Sequence, residues 1–436
     1  MDFNIIVGIV GMVLMIALLF AGLPLPITFF VIGFFGIFLI RGWEATLGIV
    51  KECPYLVVAN FQWSLIPMFI LLSVVLFECG VGGEMFAALR AWLGHFRGGM
   101  AAATSAACAF LGTVTGSAPA ATILMCKTAY PEMRKINYEP GLSLAVCAAA
   151  GTVAILIPPS TQLVIFAIVT EQSIGECLLA GFIPGFLSMA IYMAMILTRA
   201  RFKPSLGPAA PAAPWRRRFI ELRYLLPAVI MMLTIVGGIY TGVFTATEAG
   251  GMAAFVSFIT VLAMRRLTWT RLRAILYETM RLSVMIVLLL VGIMGFFNRF
   301  LNVSWLPITM AELALGLPSP WIALAAMFII CFFLGMIIGS PLGIVILPLF
   351  VPVVEQLGFS PVWFIIIMVK LTEIGFITPP VAGNVFIAQS MIKEVPLGKA
   401  YQAAWWFVLC ELFATGLFVA FPQIVMFLPD TMRATY

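Results

Sequence analysis

One short apolar motif occurs twice in the chain. Residues 112–123 read GTVTGSAPAATI and residues 335–346 read GMIIGSPLGIVI, so Gly112/Gly335, Gly116/Gly339, Ser117/Ser340 and Ile123/Ile346 match at an offset of 223. Both copies break a long apolar run in its middle. Each is followed by a second break, Pro158-Pro159 and Pro379-Pro380, at an offset of 221. In hydrocarbon an unpaired backbone N–H or C=O costs several kcal/mol, so irregular backbone persists there only when buried in protein or lining a cavity. Duplicated pairs of broken apolar segments are the strongest sequence pointer to the binding site of a secondary transporter.

Composition identifies the solvent as a bilayer. The chain is 63% hydrophobic and 10% charged, against about 25% charged in a usual globular chain. A spanning helix needs about 20 apolar residues, so the 436 residues hold roughly a dozen membrane segments once loops and hairpins are counted. The expectation is an all-α polytopic membrane protein. The start, MDFNIIVGIVGMVLMIALLFAG, has Asp2 and no basic residue, so it reads as a retained first helix and not a secretory signal. The net charge of +6 does not point to nucleic acid, because Arg199, Arg201, Lys203, Arg216, Arg217, Arg218 and Arg223 gather in one central loop, as in a cytoplasmic loop under the positive-inside rule. The eight cysteines have no CxxC spacing and read as packing residues, and His95 reads as an interfacial side chain. A phosphate loop, an HExxH motif and a nucleophile elbow are all missing, so neither an enzyme nor a cofactor is expected.

Taken in order, residues 4–40 are one or two apolar segments, and 41–52 a polar, aromatic-bearing turn. Residues 82–96 place Phe86, Leu89, Leu93 and Phe96 at helical spacing and predict an interfacial amphipathic helix. Residues 98–131 are too long for one helix, are broken at 116–119, and have Arg97 before them and Lys127, Arg134 and Lys135 near their end. Such a segment enters and leaves from the cytoplasm, as a re-entrant hairpin. Residues 203–214, rich in Pro and Ala, suit a semi-rigid cytoplasmic linker, and residues 265–281 form a second basic, cytoplasmic stretch. From 300 to 369 there is no Lys or Arg, which puts the ends of the second broken segment on the periplasmic side. The expectation is two inverted-topology repeats, each with a re-entrant helical hairpin and a broken helix. The division expected is first-half scaffold and arm (1–97), first transport half (98–173), scaffold with linker 200–223 and second arm (174–317), second transport half (318–396) and C-terminal scaffold helix (397–436).

Carbonyls freed at a hairpin tip are hard oxygen ligands for a dehydrated Na⁺, and half-helix N-termini suit an anion. One cation site is expected from Gly116, Ser117, Gly151, Thr152 and Pro158. Its counterpart is expected from Gly339, Ser340, Thr378, Pro379 and Asn384. Alone, GxxxGS is also a helix-packing motif and Pro-Pro also a kink; their paired duplication favours the site. Ser117, Ser160, Ser340 and Lys370 are the candidates for substrate contact. Lys370 lies inside an apolar run with Glu373 at i+3, so it either meets a substrate carboxylate or forms an internal ion pair. Glu78, Glu248 and Arg299 stand near helix ends, where they pair or snorkel.

The stretches LIPPSTQLVIFAIVTEQSIGECLLAGFIPG (156–185), GGIYTGVFTATEAG (237–250), EIGFITPPVAGNVF (373–386), and TGSAPAATI with YPEMRKINY (130–138) resemble the large membrane subunit of tripartite ATP-independent periplasmic (TRAP) transporters, over nearly the whole chain. The resemblance implies an elevator-type secondary transporter in the bacterial inner membrane. It implies Na⁺ as coupling ion and an organic acid, a carboxylate or sulfonate, as substrate. It also implies two partners, a small membrane subunit not fused to this chain and a periplasmic substrate-binding protein. Two positions depart from the family pattern: Gly339 stands where Asp is common, and Leu371 where Asn is common. Both fall at the second cation site. The alternatives are a stand-alone Na⁺/dicarboxylate symporter of similar inverted-hairpin architecture, and a channel or scaffold protein.

Overall fold

The computed structural model describes residues 2–338 and 341–435, without the side chains of 113–115, 337–338, 341–342 and 434–435. Gly339 and Ser340, both expected at the second site, lie outside the described residues. Every regular element among the described residues is helical, as the apolar runs require when each must satisfy its own backbone.

α1 (Phe3–Phe20) and α2 (Leu25–Arg41) account for the first apolar stretch. The polar turn expected at 41–52 is instead part of α3 (Trp43–Val58). Gly42, at φ +82°, redirects the chain so that Trp43 meets Phe34 and Phe38 edge-on at 6.3 and 5.9 Å, and those contacts hold a helix that its hydropathy does not announce. α4 (Leu65–Glu78) leads to the expected arm, α5 (Val81–Leu93). The first broken segment is α6 (Gly99–Thr115) and α7 (Ala118–Lys135). Leu111 and Leu124 both close over Gly82, so these two helices fold back on each other about the Gly116-Ser117 tip. α8 (Pro140–Val153), the first Pro-Pro break, α9 (Thr161–Val169) and the long α10 (Ile174–Phe202) complete the first half.

The linker is stitched to the turn after α5: Gly98 N–H donates to Gly207 O at 2.8 Å and Ala210 N–H to Gly94 O at 2.9 Å. α11 (Trp215–Leu222), α12 (Leu226–Met232) and α13 (Gly238–Tyr240) open the second half. α14 (Ala246–Ala263) starts with a capping box in which Thr245 and Glu248 satisfy each other's backbone N–H, so Glu248 serves a helix end. Much of the basic stretch at 265–281 is the first part of α15 (Trp269–Leu290), which continues through a π-helical turn into α16 (Asn298–Val303). Its hydropathy is masked by arginines, while Thr268 still caps it. α17 (Leu306–Leu315), α18 (Pro320–Ile338), α19 (Pro341–Gln356), α20 (Pro361–Ile377) and α21 (Gly383–Met391) repeat the series from α5 to α9. α22 (Leu397–Ala420) and α23 (Pro422–Thr435) end the chain. Six helical stretches among the described residues are long and apolar enough to cross a membrane alone. The others are shorter because the breaks divide them.

The helices sort by packing into two groups. α1 to α4, α14, α15 and α16 pack on one another as a frame. α6 to α9 and α18 to α21 form the second group, and α5 lies on α6 as α17 lies on α19. Within the second group the halves interlock: α7 packs on α21, and α19 on α9. Two helices of the stretches 174–317 and 397–436 pack with the hairpins. α10 and α22 pack chiefly on α6, α8 and α20, in the hairpin group and not in the frame. Gly181 shows why, since a Cβ there would stand 2.5 Å from Leu156 O; α10 is seated directly on the first break. Spanning hydropathy is the same for both groups and carries no sign of this.

Candidate functional site

The repeated motif is repeated in the packing. A Cβ on Gly112 would stand 2.5 Å from Ala154 O, and one on Gly375 would stand 2.3 Å from Gly335 O. The two close approaches involve equivalent positions, 112/335 and 154/375. In each half, therefore, a glycine lets the first hairpin helix lie against the helix that leads into the Pro-Pro break. Both Pro158-Pro159 and Pro379-Pro380 are cis.

At the first tip, Gly116 has φ +54° and ends α6. Ser117, in extended conformation at φ −143°, starts α7. A Cβ on Gly116 would stand 3.1 Å from Thr161 Oγ1 and 3.5 Å from Pro159 O, and one on Gly151 2.8 Å from Ala118 O. The tip, the helix before the break and the chain after it thus meet. Thr152 is fully buried and its hydroxyl donates to Ala149 O at 2.7 Å, leaving oxygen lone pairs as acceptors. Ser160, also fully buried, caps α9 by accepting from Leu163 N–H at 3.2 Å. It serves the helix end and does not reach the cavity described below.

In the second half, Thr378 donates to Ile374 O at 2.6 Å beside Pro379. Asn384 is fully buried, with its Oδ1 unpaired. The amide donates at 3.4 Å to Ala148 O on α8, where Thr122 also donates at 3.4 Å. The two halves are further tied by Gln162 donating to Thr372 Oγ1 at 3.3 Å.

A cavity of about 760 Å³ lies between the frame and the first tip. Ser73 and Glu78 of α4 and Glu278 of α15 line one side, and Ser117, Thr161 and Gln162 the other. The N-terminal ends of α7 and α9 border it, so their first-turn N–H groups and positive dipole ends supply the anion-attracting elements. None of its described lining residues is Lys or Arg.

Lys370 is elsewhere. It is completely buried, donates to Glu373 Oε2 at 2.9 Å and Ser188 Oγ at 3.1 Å, and pairs with Glu411. Of the two roles open to it, the structure places it in the internal ion pair, away from the cavity. Glu411 and Ser188 were not expected here. Glu411 carries the same signal as Lys370, an ionisable residue inside an apolar helix, but no local spacing joins it to its partner.

The comparisons agree with this architecture. A solved structure of the Alcanivorax borkumensis YdaH transporter superposes with a TM-score of 0.56 at 15% identity, over 87% of this chain and 90% of that one; this supports the fold alone. The C4-dicarboxylate TRAP transporter large permease protein DctM of Pseudomonas aeruginosa is 33% identical, over 84% of this chain and 85% of its own length. The ectoine/5-hydroxyectoine TRAP transporter large permease protein UehC of Ruegeria pomeroyi is 30% identical over 95% and 97%. The sialic acid TRAP transporter large permease protein SiaM of Vibrio cholerae is 26% identical over 95% and 96%. The profile of the family described as tripartite ATP-independent periplasmic transporter, DctM component, matches residues 12–424, and the chain belongs to that family.

Proposed function

We propose that this permease subunit takes up an organic acid across the bacterial inner membrane, driven by Na⁺. A periplasmic substrate-binding protein delivers the substrate, and a small membrane subunit completes the frame. The observation that carries this reading is the place of the cavity. It lies between the frame and the first hairpin tip, next to the backbone oxygens of the Pro158-Pro159 break. A carboxylate or sulfonate is held by N–H groups at the starts of α7 and α9 and by Ser117, Thr161 and Gln162. Na⁺ is held by oxygens at Gly116, Ser117, Gly151, Thr152 and Pro158 in the first half, and at Thr378, Pro379 and Asn384 with the Gly339-Ser340 tip in the second. The relatives named for a C4-dicarboxylate, a sialic acid and ectoine support a carboxylate-bearing substrate.

Transport follows an elevator scheme. The hairpin group, with α10 and α22, moves across the frame as a unit, and α5 and α17 act as the arms. The basic ends of the first hairpin face the cytoplasm and the ends of the second, which carry no Lys or Arg, face the periplasm, which makes the repeats inverted. The test is uptake into proteoliposomes holding this chain, the small subunit and a candidate binding protein. Accumulation that requires an inward Na⁺ gradient and falls at least tenfold in Ser117→Ala is the expected result. Accumulation indifferent to Na⁺ overturns the coupling.

A further inference from the structure

The hairpin group encloses three ionisable side chains, all completely buried: Lys370 and Glu373 on α20, and Glu411 on α22. Lys370 lies between the two carboxylates, pairing with Oε2 of each, and its third donor goes to Ser188 of α10. With all three ionised the cluster keeps a net charge of −1. An uncompensated buried charge is costly wherever water is excluded. Among the described residues no second cation pairs with either carboxylate. Tyr192 of α10 lies beside Glu411 and Glu373, and Cys410 beside Glu411; neither brings a positive charge. Arg199 of α10 lies on the far side of Cys410, over the Trp406 ring, and pairs with neither carboxylate. α9 and α21 have no ionisable side chain, and α8 and α18 contribute only Cys147 and Cys331. Glu355 of α19 is taken by Gln172, and Arg433 of α23 by Glu176. Asp430, also on α23, adds no positive charge.

Two buried carboxylate oxygens mark what is missing. Glu373 Oε1 and Glu411 Oε1 have no hydrogen-bond partner, although buried polar atoms normally have one. A metal cation would need several oxygens around a space that the Lys370 ammonium already fills. A proton needs no space, removes the net charge, and turns one carboxylate into a donor.

We propose that Lys370, Glu373 and Glu411 form a proton-binding site, in which one proton taken from water is shared by the two carboxylates. The site ties together α10, α20 and α22, so proton occupancy bears on the body that moves. That consequence rests on the permease reading, whereas proton binding itself does not. Tyr192 stands between this site and Thr152 of the first set of Na⁺ ligands.

Infrared difference spectroscopy of the purified chain in lipid nanodiscs tests the site without any transport assay. At neutral pH the wild type is expected to show the C=O stretch of a protonated, buried carboxyl group. The band is expected to vanish in both Glu373→Gln and Glu411→Gln, because the remaining carboxylate then pairs with Lys370. In Lys370→Met it is expected to grow about twofold, as both acids are then neutral. A wild type without the band overturns the proposal, as does a band unchanged in both glutamine variants. A wild-type band that appears only when Na⁺ is replaced by choline also overturns it, since Na⁺ would then be the occupant. The wild-type result decides by itself if the variants fail to fold.

Discussion

Gly116 combines a left-handed backbone with contact to Thr161 and Pro159, so Gly116→Ala is expected to cost about 1–2 kcal/mol and to displace the tip. Uptake should fall by an order of magnitude or more while the protein still inserts. Gly375→Ala meets the Gly335 carbonyl at 2.3 Å and should cost about 1–3 kcal/mol by overpacking. Gly48→Ala, in α3 with nothing within 4 Å, is the control and should stabilise by about 0.5–1 kcal/mol. Thermal melts of the three variants in one detergent check the order. Gly116 was legible as a motif member; Gly375 was not, because its close approach to Gly335 appears only once α18 and α20 are packed. The pairing of Lys370 with Glu411 was not, because it depends on how α20 and α22 are juxtaposed, and hydropathy does not encode that.

Among the elements, α7 is anchored at its basic end by charge. Glu132 pairs with Lys135 and with Arg90 of α5, and Glu394, in the loop before α22, pairs with Tyr130 and Arg134. The hydrogen bond from Lys135, helped by Arg90, holds the Glu132 carboxyl below its ordinary value. The stabilisation is therefore present above the ordinary carboxylate range and is lost as pH falls through the lowered value. Glu132→Gln should lower Tm at neutral pH, and its gap from wild type should close on acidification; a gap that widens in acid contradicts this ion pair. The hairpins, the breaks and the first arm could be read from apolar runs and their interruptions. α3 and the start of α15 could not, because Glu44, Lys51 and Glu52 in one, and Arg271 and Arg273 in the other, lower the hydropathy of residues that are helical all the same.

On the scale of the whole molecule, the interlocking of α7 with α21 and of α19 with α9 makes the hairpin group one body, and the cavity marks where it meets the frame. The chain's order did not reveal which long helices pack with the hairpins, since α10 and α22 are as apolar as the frame helices. The most direct test of a moving body is a set of spin-label distances in the reconstituted transporter with and without Na⁺ and substrate. One label pair joins α7 to α21 within the body, and another joins α4 of the frame to α9. The account predicts that the first distance stays fixed while the second changes by several ångströms between states. An unchanged α4–α9 distance in a preparation that accumulates substrate would contradict it.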